Sequence, residues 1–319
     1  MLLVALGALV LLRCSTQRIG LVGCGSDSDC PAGQTCDSQL HCKHPCDVLP
    51  LAKQDDQQVG SLIRANLDDG TCFWADRTEV TVAQYRTFVA TGSAVARFSD
   101  GDLAAYCSSW KQTVFDPETN AADACVLAAR STDNLEAFSS ARPVRCIDWC
   151  DAAAYCAWVG GALCGGYWFQ NTTLTPNDLP DQWGHACSPT NEAYPYGSTP
   201  DPVACNVGFS QSECLNNFGH ACAPADVGKF SKCVDSRGIL DMIGNVAEWS
   251  LLCAVSLDGG APGSDLPCLY RGGSYADSLN AAACRVIGPN VARGSREPWL
   301  GFRCCAPLSA AEAAAITAH

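Results

Sequence analysis

The chain has 319 residues, of which 33 are acidic and 20 are basic, so its formal net charge is −13. Such an acidic chain is a poor match for nucleic acid or for an anionic membrane surface, and we expect neither as a partner. Because 48% of the residues are hydrophobic and only 17% are charged, the composition is typical of a globular protein rather than a disordered one.

Cysteine is the most informative residue type, with 23 copies spread from Cys14 to Cys305. So many thiols indicate an oxidising compartment, in which they form disulfides. The five histidines are scattered and no paired C-x2-C units occur, which disfavours a zinc site. We predict crosslinks for most cysteines, in particular Cys30, Cys36, Cys42, Cys46, Cys146, Cys150, Cys156, Cys164, Cys284, Cys304 and Cys305.

Residues 1–23 are predicted to be an export signal, and the sequence leaves the cleavage site open. The apolar stretch 1–12 is too short to span a bilayer as a helix. Two cysteines are candidates for a lipid anchor, the only membrane contact that we expect. Cys14 directly follows the apolar run, whereas Cys24 follows the lipobox-like letters LVG. We therefore expect an exported protein that is periplasmic, an outer-membrane lipoprotein or extracellular.

Four further regions follow the signal. Residues 24–46 form a Cys-rich module that has no apolar core and depends on disulfides for order. Residues 47–71 are polar and predict a linker, and residues 72–307 have the size of one large domain. Residues 308–319 are Ala-rich and predict a tail that frays.

Two helices are predicted inside the large domain. Thr81 is a candidate N-cap for a helix that ends before Gly92, and Asp148 precedes a second helix that runs through Val159. Elsewhere Gly, Pro, Asn and Asp interrupt every apolar run within a few residues, which predicts short strands and long loops. The fold class is therefore α+β, irregular and disulfide-rich.

Seven segments in fixed order carry a resemblance to a known family. They are residues 76–85 (DRTEVTVAQY), 143–149 (PVRCIDW), 194–197 (YPYG), 204–207 (ACNV), 238–249 (GILDMIGNVAEW), 271–275 (RGGSY) and 301–303 (GFR). Together they make the chain similar to the formylglycine-generating, or sulfatase-modifying factor, family. The resemblance implies the irregular C-type-lectin-like fold of that family, with little regular secondary structure.

One segment suggests a calcium site. Asp241, Gly244, Val246 and Glu248 can supply two carboxylates and two backbone carbonyls from one tight turn, and calcium prefers such hard oxygen ligands. The resemblance implies a structural calcium ion at these positions. The alternative is that Asp241 caps a turn while Glu248 pairs with a basic residue. Asn206 resembles the start of the family's second calcium site, whose later ligands are not recognisable here.

The family's catalytic cysteine pair is missing. In formylglycine-generating oxidases the segment after RGGS leads to two cysteines that bind copper. Here the first position is Asp277, and the second falls at Ala281 or Ala282. Cys284 is the only nearby thiol, and one thiol cannot form a two-coordinate Cu(I) site. Copper is therefore not expected as a cofactor.

Two classes of function remain open. The first is a catalytically degenerate surface module that binds a protein or a glycan, or that has a structural role. The second is an enzyme, either of the formylglycine-generating type or a divergent one that acts on exported proteins. Its candidate catalytic residues would be Arg271, Ser274, Tyr275 and Asp277.

Overall fold

A computed structural model describes residues 24, 26–30, 34–36, 38–91, 106–133, 137–165, 181–208, 214, 222–253 and 263–317. The predicted export signal with Cys14, and the predicted helix stop at Gly92, lie outside these ranges. No helix within them combines the length and the apolar character needed to cross a bilayer.

The larger sheet has five strands and only antiparallel pairs. Along the chain its strands are β3 (Ala52–Gln54), β4 (Ser61–Asn66), β5 (Cys72–Asp76), β6 (Ala162–Leu163) and β11 (Cys304–Pro307), in the spatial order β3-β4-β5-β11-β6. Every residue of β5 is buried, as expected of a central strand with both faces covered.

The region 47–71, predicted as a linker, belongs to this sheet. It contains β3 and β4, and β4 pairs with β5 from Leu62 opposite Asp76 to Asn66 opposite Cys72. Leu62, Ile63 and Ala65 are buried on the sheet. The segment looks polar because its turns at 55–60 and 67–70 carry most of its Asp, Gln and Gly residues.

The second sheet has four strands and supports the candidate site. Along the chain these are β7 (Ala247–Cys253), β8 (Pro267–Arg271), β9 (Val291–Ala292) and β10 (Leu300–Gly301), in the order β10-β7-β8-β9. Only β10 runs parallel to its neighbour β7. A separate two-stranded sheet of β1 (Thr35–Cys36) and β2 (Cys42–Lys43) lies in the Cys-rich module, and the Cys46–Cys72 disulfide joins this module to β5.

The described helices are α1 (Val82–Ala90), α2 (Ala124–Asp133), α3 (Trp149–Trp158), α4 (Gln182–Cys187) and α5 (Ala310–Thr317). Helix α1 begins at the predicted cap, because the Thr81 hydroxyl accepts from Gln84 N and the Gln84 side chain accepts from Thr81 N. Helix α3 begins after Asp148, whose carboxylate accepts from Asp151 N.

Between α1 and α3 lies the aromatic centre of the core. Phe88, Tyr155, Trp158 and Phe302 are all buried, and Tyr155 makes edge contacts with the other three rings at centroid distances of 5.3–5.7 Å. Such edge-to-face pairs add to the area-based stabilisation of a core. The core therefore forms around the two helices that the sequence predicts.

The described part of the predicted tail, residues 308–317, is packed and mostly helical, which differs from the prediction that it frays. Helix α5 occupies most of residues 308–319, and Ile316 and Leu308 pack against the buried cluster of Leu49, Leu62 and Trp74. This packing involves residues far away in sequence, which local composition does not reveal.

Eleven disulfides pair the 22 cysteines of the described ranges, including all eleven predicted to be crosslinked. The adjacent Cys304 and Cys305 bond to Cys156 and Cys164 respectively, because neighbouring residues of a strand point to opposite faces. Cys24 is bonded to Cys36, so its sulfur is not available for a lipid thioether.

Candidate functional site

The segment after β8 turns sharply at two glycines. Gly272 has φ = +84° and Gly273 has φ = +60°, conformations that residues with a side chain rarely adopt. A Cβ on Gly272 would lie 2.7 Å from the carbonyl oxygen of Met242. The turn therefore requires glycine for both its conformation and its close packing.

The same turn shows which side chains of this protein lie at the two positions that correspond to the catalytic cysteines of formylglycine-generating oxidases. A Cβ on Gly273 would lie 2.9 Å from Ala282 Cβ and 3.4 Å from Asp277 Cβ, so these two side chains flank one point. Ala282 is buried whereas Ala281 is exposed, which favours Ala282 as the second position. Cys284 is bonded to Cys187 and offers no thiol.

Ser274, Tyr275 and Asp277 form a closed turn. The Ser274 hydroxyl and the Ser274 backbone N–H both donate to Asp277 Oδ2 at 2.8 Å. Ser274 and Tyr275 are buried, and Tyr275 packs against the Cys214–Cys222 disulfide. This arrangement explains the conformation of the turn, because Asp277 accepts from both the backbone and the hydroxyl of Ser274.

Arg271, at the end of β8, points away from that turn. Its guanidinium donates to both carboxylate oxygens of Asp181 at 3.1 Å and to the carbonyl of Cys284 at 2.9 Å. It also lies 4.7 Å from the ring centroid of Trp183, a cation–π contact. Asp181 and Trp183 belong to no segment with family resemblance, and sequence analysis missed both.

Arg271 forms part of a surface cleft with a volume of about 330 Å³. Six charged or titratable residues in its lining define what we call the Arg271 cleft: Asp68, Asp181, His185, Glu192, Arg271 and Arg285. Both acidic and basic groups line the cleft, and His185 Nε2 lies 3.8 Å from Asp68 Oδ2. Of the four candidate catalytic residues, only Arg271 is in the lining.

The turn 241–248 lies directly behind Arg271, since Gly244 N donates to Gly272 O. Asp241, Gly244 and Asn245 all have positive φ, between 55° and 73°. The Asn245 side chain holds the turn: its Oδ1 accepts from Ala225 N and its Nδ2 donates to Glu79 Oε1. The four predicted calcium ligands are thus on one buried turn.

Both carboxylates of that turn have protein partners. Arg303, which is fully buried, donates through Nε to both oxygens of Glu248 at 2.7–2.8 Å, and Trp183 Nε1 donates to Glu248 Oε2. Gly228 N donates to Asp241 Oδ2. These contacts match the alternative to calcium, in which Asp241 caps a turn while Glu248 pairs with a basic residue. Calcium at this turn stays a prediction.

Two buried oxygens near the turn have no hydrogen-bond partner among the described residues. They are Asn206 Oδ1 and Glu79 Oε2. Burial, together with the nearby charge of Asp241, raises the pKa of Glu79 well above its usual range. An unpartnered buried amide oxygen suits a hard cation, so Asn206, the weaker candidate in the sequence, fits a calcium ion in this respect.

Comparison with known proteins places this geometry in context. Residues 64–308 match a family model described as "Sulfatase-modifying factor enzyme 1-like domain", which confirms the predicted resemblance and fold class. No curated protein sequence matches the chain.

Among solved structures the chain is similar to CarF, with 18% identity over 75% of this chain and 87% of that one and a TM-score of 0.44. It is also similar to PvdO from Pseudomonas aeruginosa, with 16% identity over 81% of this chain and 98% of that one and a TM-score of 0.48. A third similar structure is variable protein 1 of Treponema denticola, with 18% identity over 82% of this chain and 100% of that one and a TM-score of 0.43.

Proposed function

The chain belongs to the sulfatase-modifying factor family, and on that premise we propose an exported member without oxidase activity that binds a polar protein or glycan ligand at the cell surface. One observation carries the proposal: Asp277 and Ala282 stand where two copper-binding thiols would be needed, and the nearby Cys284 is crosslinked. A carboxylate and a methyl group do not replace a soft thiolate pair as Cu(I) ligands.

The Arg271 cleft supports the binding part of the proposal. Its lining offers carboxylates, two guanidiniums, an imidazole and the polar side chains of Ser188, Asn191 and Ser250, but only Leu252 and Ile287 as large aliphatic groups. A ligand with many hydroxyl or amide groups can satisfy such a lining, whereas an apolar ligand would leave polar groups without partners. A glycan or an extended peptide has this chemistry.

The proposed absence of oxidase activity is tested with the purified full chain. The protein is loaded with copper and incubated with a peptide that contains Cys-x-Pro-x-Arg, and the peptide mass is followed. We expect no formylglycine. Copper-dependent conversion of the peptide cysteine to formylglycine would overturn the proposal.

The binding part is tested on arrays of glycans and of peptides from surface proteins. We expect a bound ligand whose retention falls at least tenfold in Arg285→Ala, because Arg285 is exposed in the cleft. The matched control is Arg86→Ala, which removes another exposed arginine, one that pairs with Glu118 outside the cleft. No binding by the wild type, or equal loss in both variants, would contradict this assignment.

Export and calcium are further parts of the proposal. The eleven disulfides support an oxidising compartment, since a reducing cytosol would not maintain them. The partnerless Asn206 Oδ1 supports a structural calcium ion beside the turn 241–248. Asn206, Asp241 and the carbonyls of Gly244 and Val246 would hold such an ion, which would stabilise the turn and take no part in chemistry.

A further inference from the structure

A buried lysine lies between two buried aspartates at the N-terminal end of α3. Lys111 Nζ contacts Asp148 Oδ2 and donates to Asp151 Oδ2 at 2.8 Å. Lys111 is only 8% exposed, Asp148 1% and Asp151 0%. One ammonium and two carboxylates therefore share a site with little solvent, and an unbalanced buried charge is strongly unfavourable.

The backbone holds these groups in contact. Asp148 Oδ1 accepts from Asp151 N at 3.0 Å, as the N-cap of α3, and Asp151 Oδ1 accepts from Phe115 N at 3.1 Å. The Cys107–Cys150 disulfide ties the segment of Lys111 to the same turn of α3. Because neither carboxylate can rotate away, the amine nitrogen stays beside a carboxyl carbon, as intramolecular reactions require.

The surroundings of Asp151 favour its protonated form. Arg296, which lines the same cleft as Lys111, pairs with Asp123. Burial, and then the charge of Asp148, raise the pKa of Asp151 well above its usual range, whereas Lys111 opposes this rise. Asp151 is therefore suited to carry and transfer a proton.

We propose that Lys111 and Asp148 are joined by an intramolecular isopeptide bond, formed spontaneously after folding, with Asp151 as the proton-transfer group. This inference goes beyond the proposed function and does not depend on it. The Lys111–Asp148–Asp151 cluster is separate from the Arg271 cleft and from the turn 241–248.

The reaction is a condensation and needs no oxidant or cofactor. A proton moves from the Lys111 ammonium to the Asp148 carboxylate, which gives a neutral amine and a carboxylic acid. The Nζ lone pair attacks Cγ of Asp148 and forms the new C–N bond. Asp151 takes a proton from Nζ and gives one to the departing hydroxyl, so the C–O bond breaks and one water molecule leaves.

The condensation leaves the net charge of the cluster unchanged, because a neutral amide and one water molecule replace the Lys111 ammonium and the Asp148 carboxylate. It removes that buried ion pair, and Asp151 ends in the protonation state in which it began. The lysine and α3 are then covalently joined beside a surface cleft of about 420 Å³ that Lys111, Asp148 and Arg296 line, through which the water can depart.

Mass spectrometry of the full chain, denatured and with all disulfides reduced, tests the proposal. We expect a mass lower than that of the linear chain by one water molecule. We also expect a branched peptide that contains Lys111 and Asp148 after trypsin digestion, with no cleavage after Lys111. The full linear mass together with ordinary linear peptides would overturn the proposal.

Three variants separate the isopeptide bond from loss of water at an aspartate alone, as in a succinimide. Lys111→Arg keeps the positive charge but cannot form the bond, and we expect its full linear mass. Asp151→Asn should leave most of the protein unlinked. Lys53→Arg, at a partly exposed lysine that pairs with Glu312, is the control and should lose water like the wild type. Water loss that persists in Lys111→Arg would contradict the proposal.

Discussion

Arg303 is the residue around which the buried charges beside the turn 241–248 are arranged. It neutralises Glu248, and it also donates to the backbone carbonyls of Asp76, Leu240 and Asp241. Asp76 itself is buried on β5, and its Oδ2 accepts from Cys304 N. Since Arg303 is committed to Glu248, Asp76 receives only partial compensation for its burial.

The pKa of Asp76 reflects this position. Burial raises it from 3.8 to about 7, against the backbone N–H of Cys304 and the charge of Arg303, which lower it. The folded protein thus binds this proton more tightly than the unfolded chain does. The free energy of unfolding should therefore fall as the pH rises from about 4 to about 7, and it should not fall further on this account above that range.

Replacing Asp76 with Asn should flatten this dependence. The amide does not titrate and can still accept from Cys304 N, so urea unfolding at several pH values should show a smaller decrease than in the wild type. A residual decrease remains from Asp241, whose pKa burial raises to about 6. Asp226→Asn is the control, because that side chain is 56% exposed. Equal slopes for Asp76→Asn and the wild type would contradict the assignment.

At the scale of elements, local signals predicted α1 and α3, whereas β4 and α5 could not be predicted. Thr81 and Asp148 are caps whose hydrogen bonds reach three residues along the chain, so the sequence alone contains the signal. The position of β4 depends on pairing with β5, and that of α5 on contacts with Leu49 and Trp74. Composition does not encode such partners.

Helix α5 should contribute measurably to stability. Ending the chain at Leu308 removes Ile316 from the cluster with Trp74, and it removes Glu312 from Lys53. We expect a loss of about 2–4 kcal/mol in urea unfolding, mainly from exposed apolar surface. Glu312→Gln, which removes only the ion pair, should cost about 1 kcal/mol or less. Unchanged stability of the truncated chain would mean that α5 does not pack in solution.

The turn 241–248 is the element at which calcium is predicted. Chelator should lower the melting temperature of the wild type, since bound calcium stabilises the folded state by an amount on the order of a few kcal/mol at saturation. In Asp241→Ala the chelator should have no effect, and Asn206→Ala shows whether the partnerless oxygen takes part. An identical wild-type melting curve with and without chelator would exclude a stabilising ion.

At the scale of the whole molecule, disulfides connect parts that are distant in sequence. Cys156–Cys304 spans 148 residues and Cys164–Cys305 spans 141, so together they join α3 and β6 to the last strand. Crosslinks that close such long loops restrict the unfolded chain most strongly in the chain-entropy account. The cysteine count predicted the crosslinking, but the partners follow only from the three-dimensional fold.

For the candidate site too, the sequence predicted individual residues but not their partners in space. The motif RGGS placed Arg271 and located the missing cysteine pair, because these depend on short spacing. The partners Asp181 and Trp183 lie about 90 residues earlier, outside every recognisable motif, and only the fold brings them to Arg271. Likewise, nothing in the sequence distinguishes Lys111 from the surface lysines.

All 22 cysteines of the described ranges serve as crosslinks, which leaves no copper-binding or reactive thiol among them. Alkylation of the denatured, unreduced protein followed by peptide mass spectrometry tests this most directly. We expect no alkylated cysteine between residues 24 and 305, and we expect a peptide pair linked by the Cys187–Cys284 disulfide. An alkylated Cys284, with Cys187 free or paired elsewhere, would contradict it and reopen thiol chemistry beside Arg271.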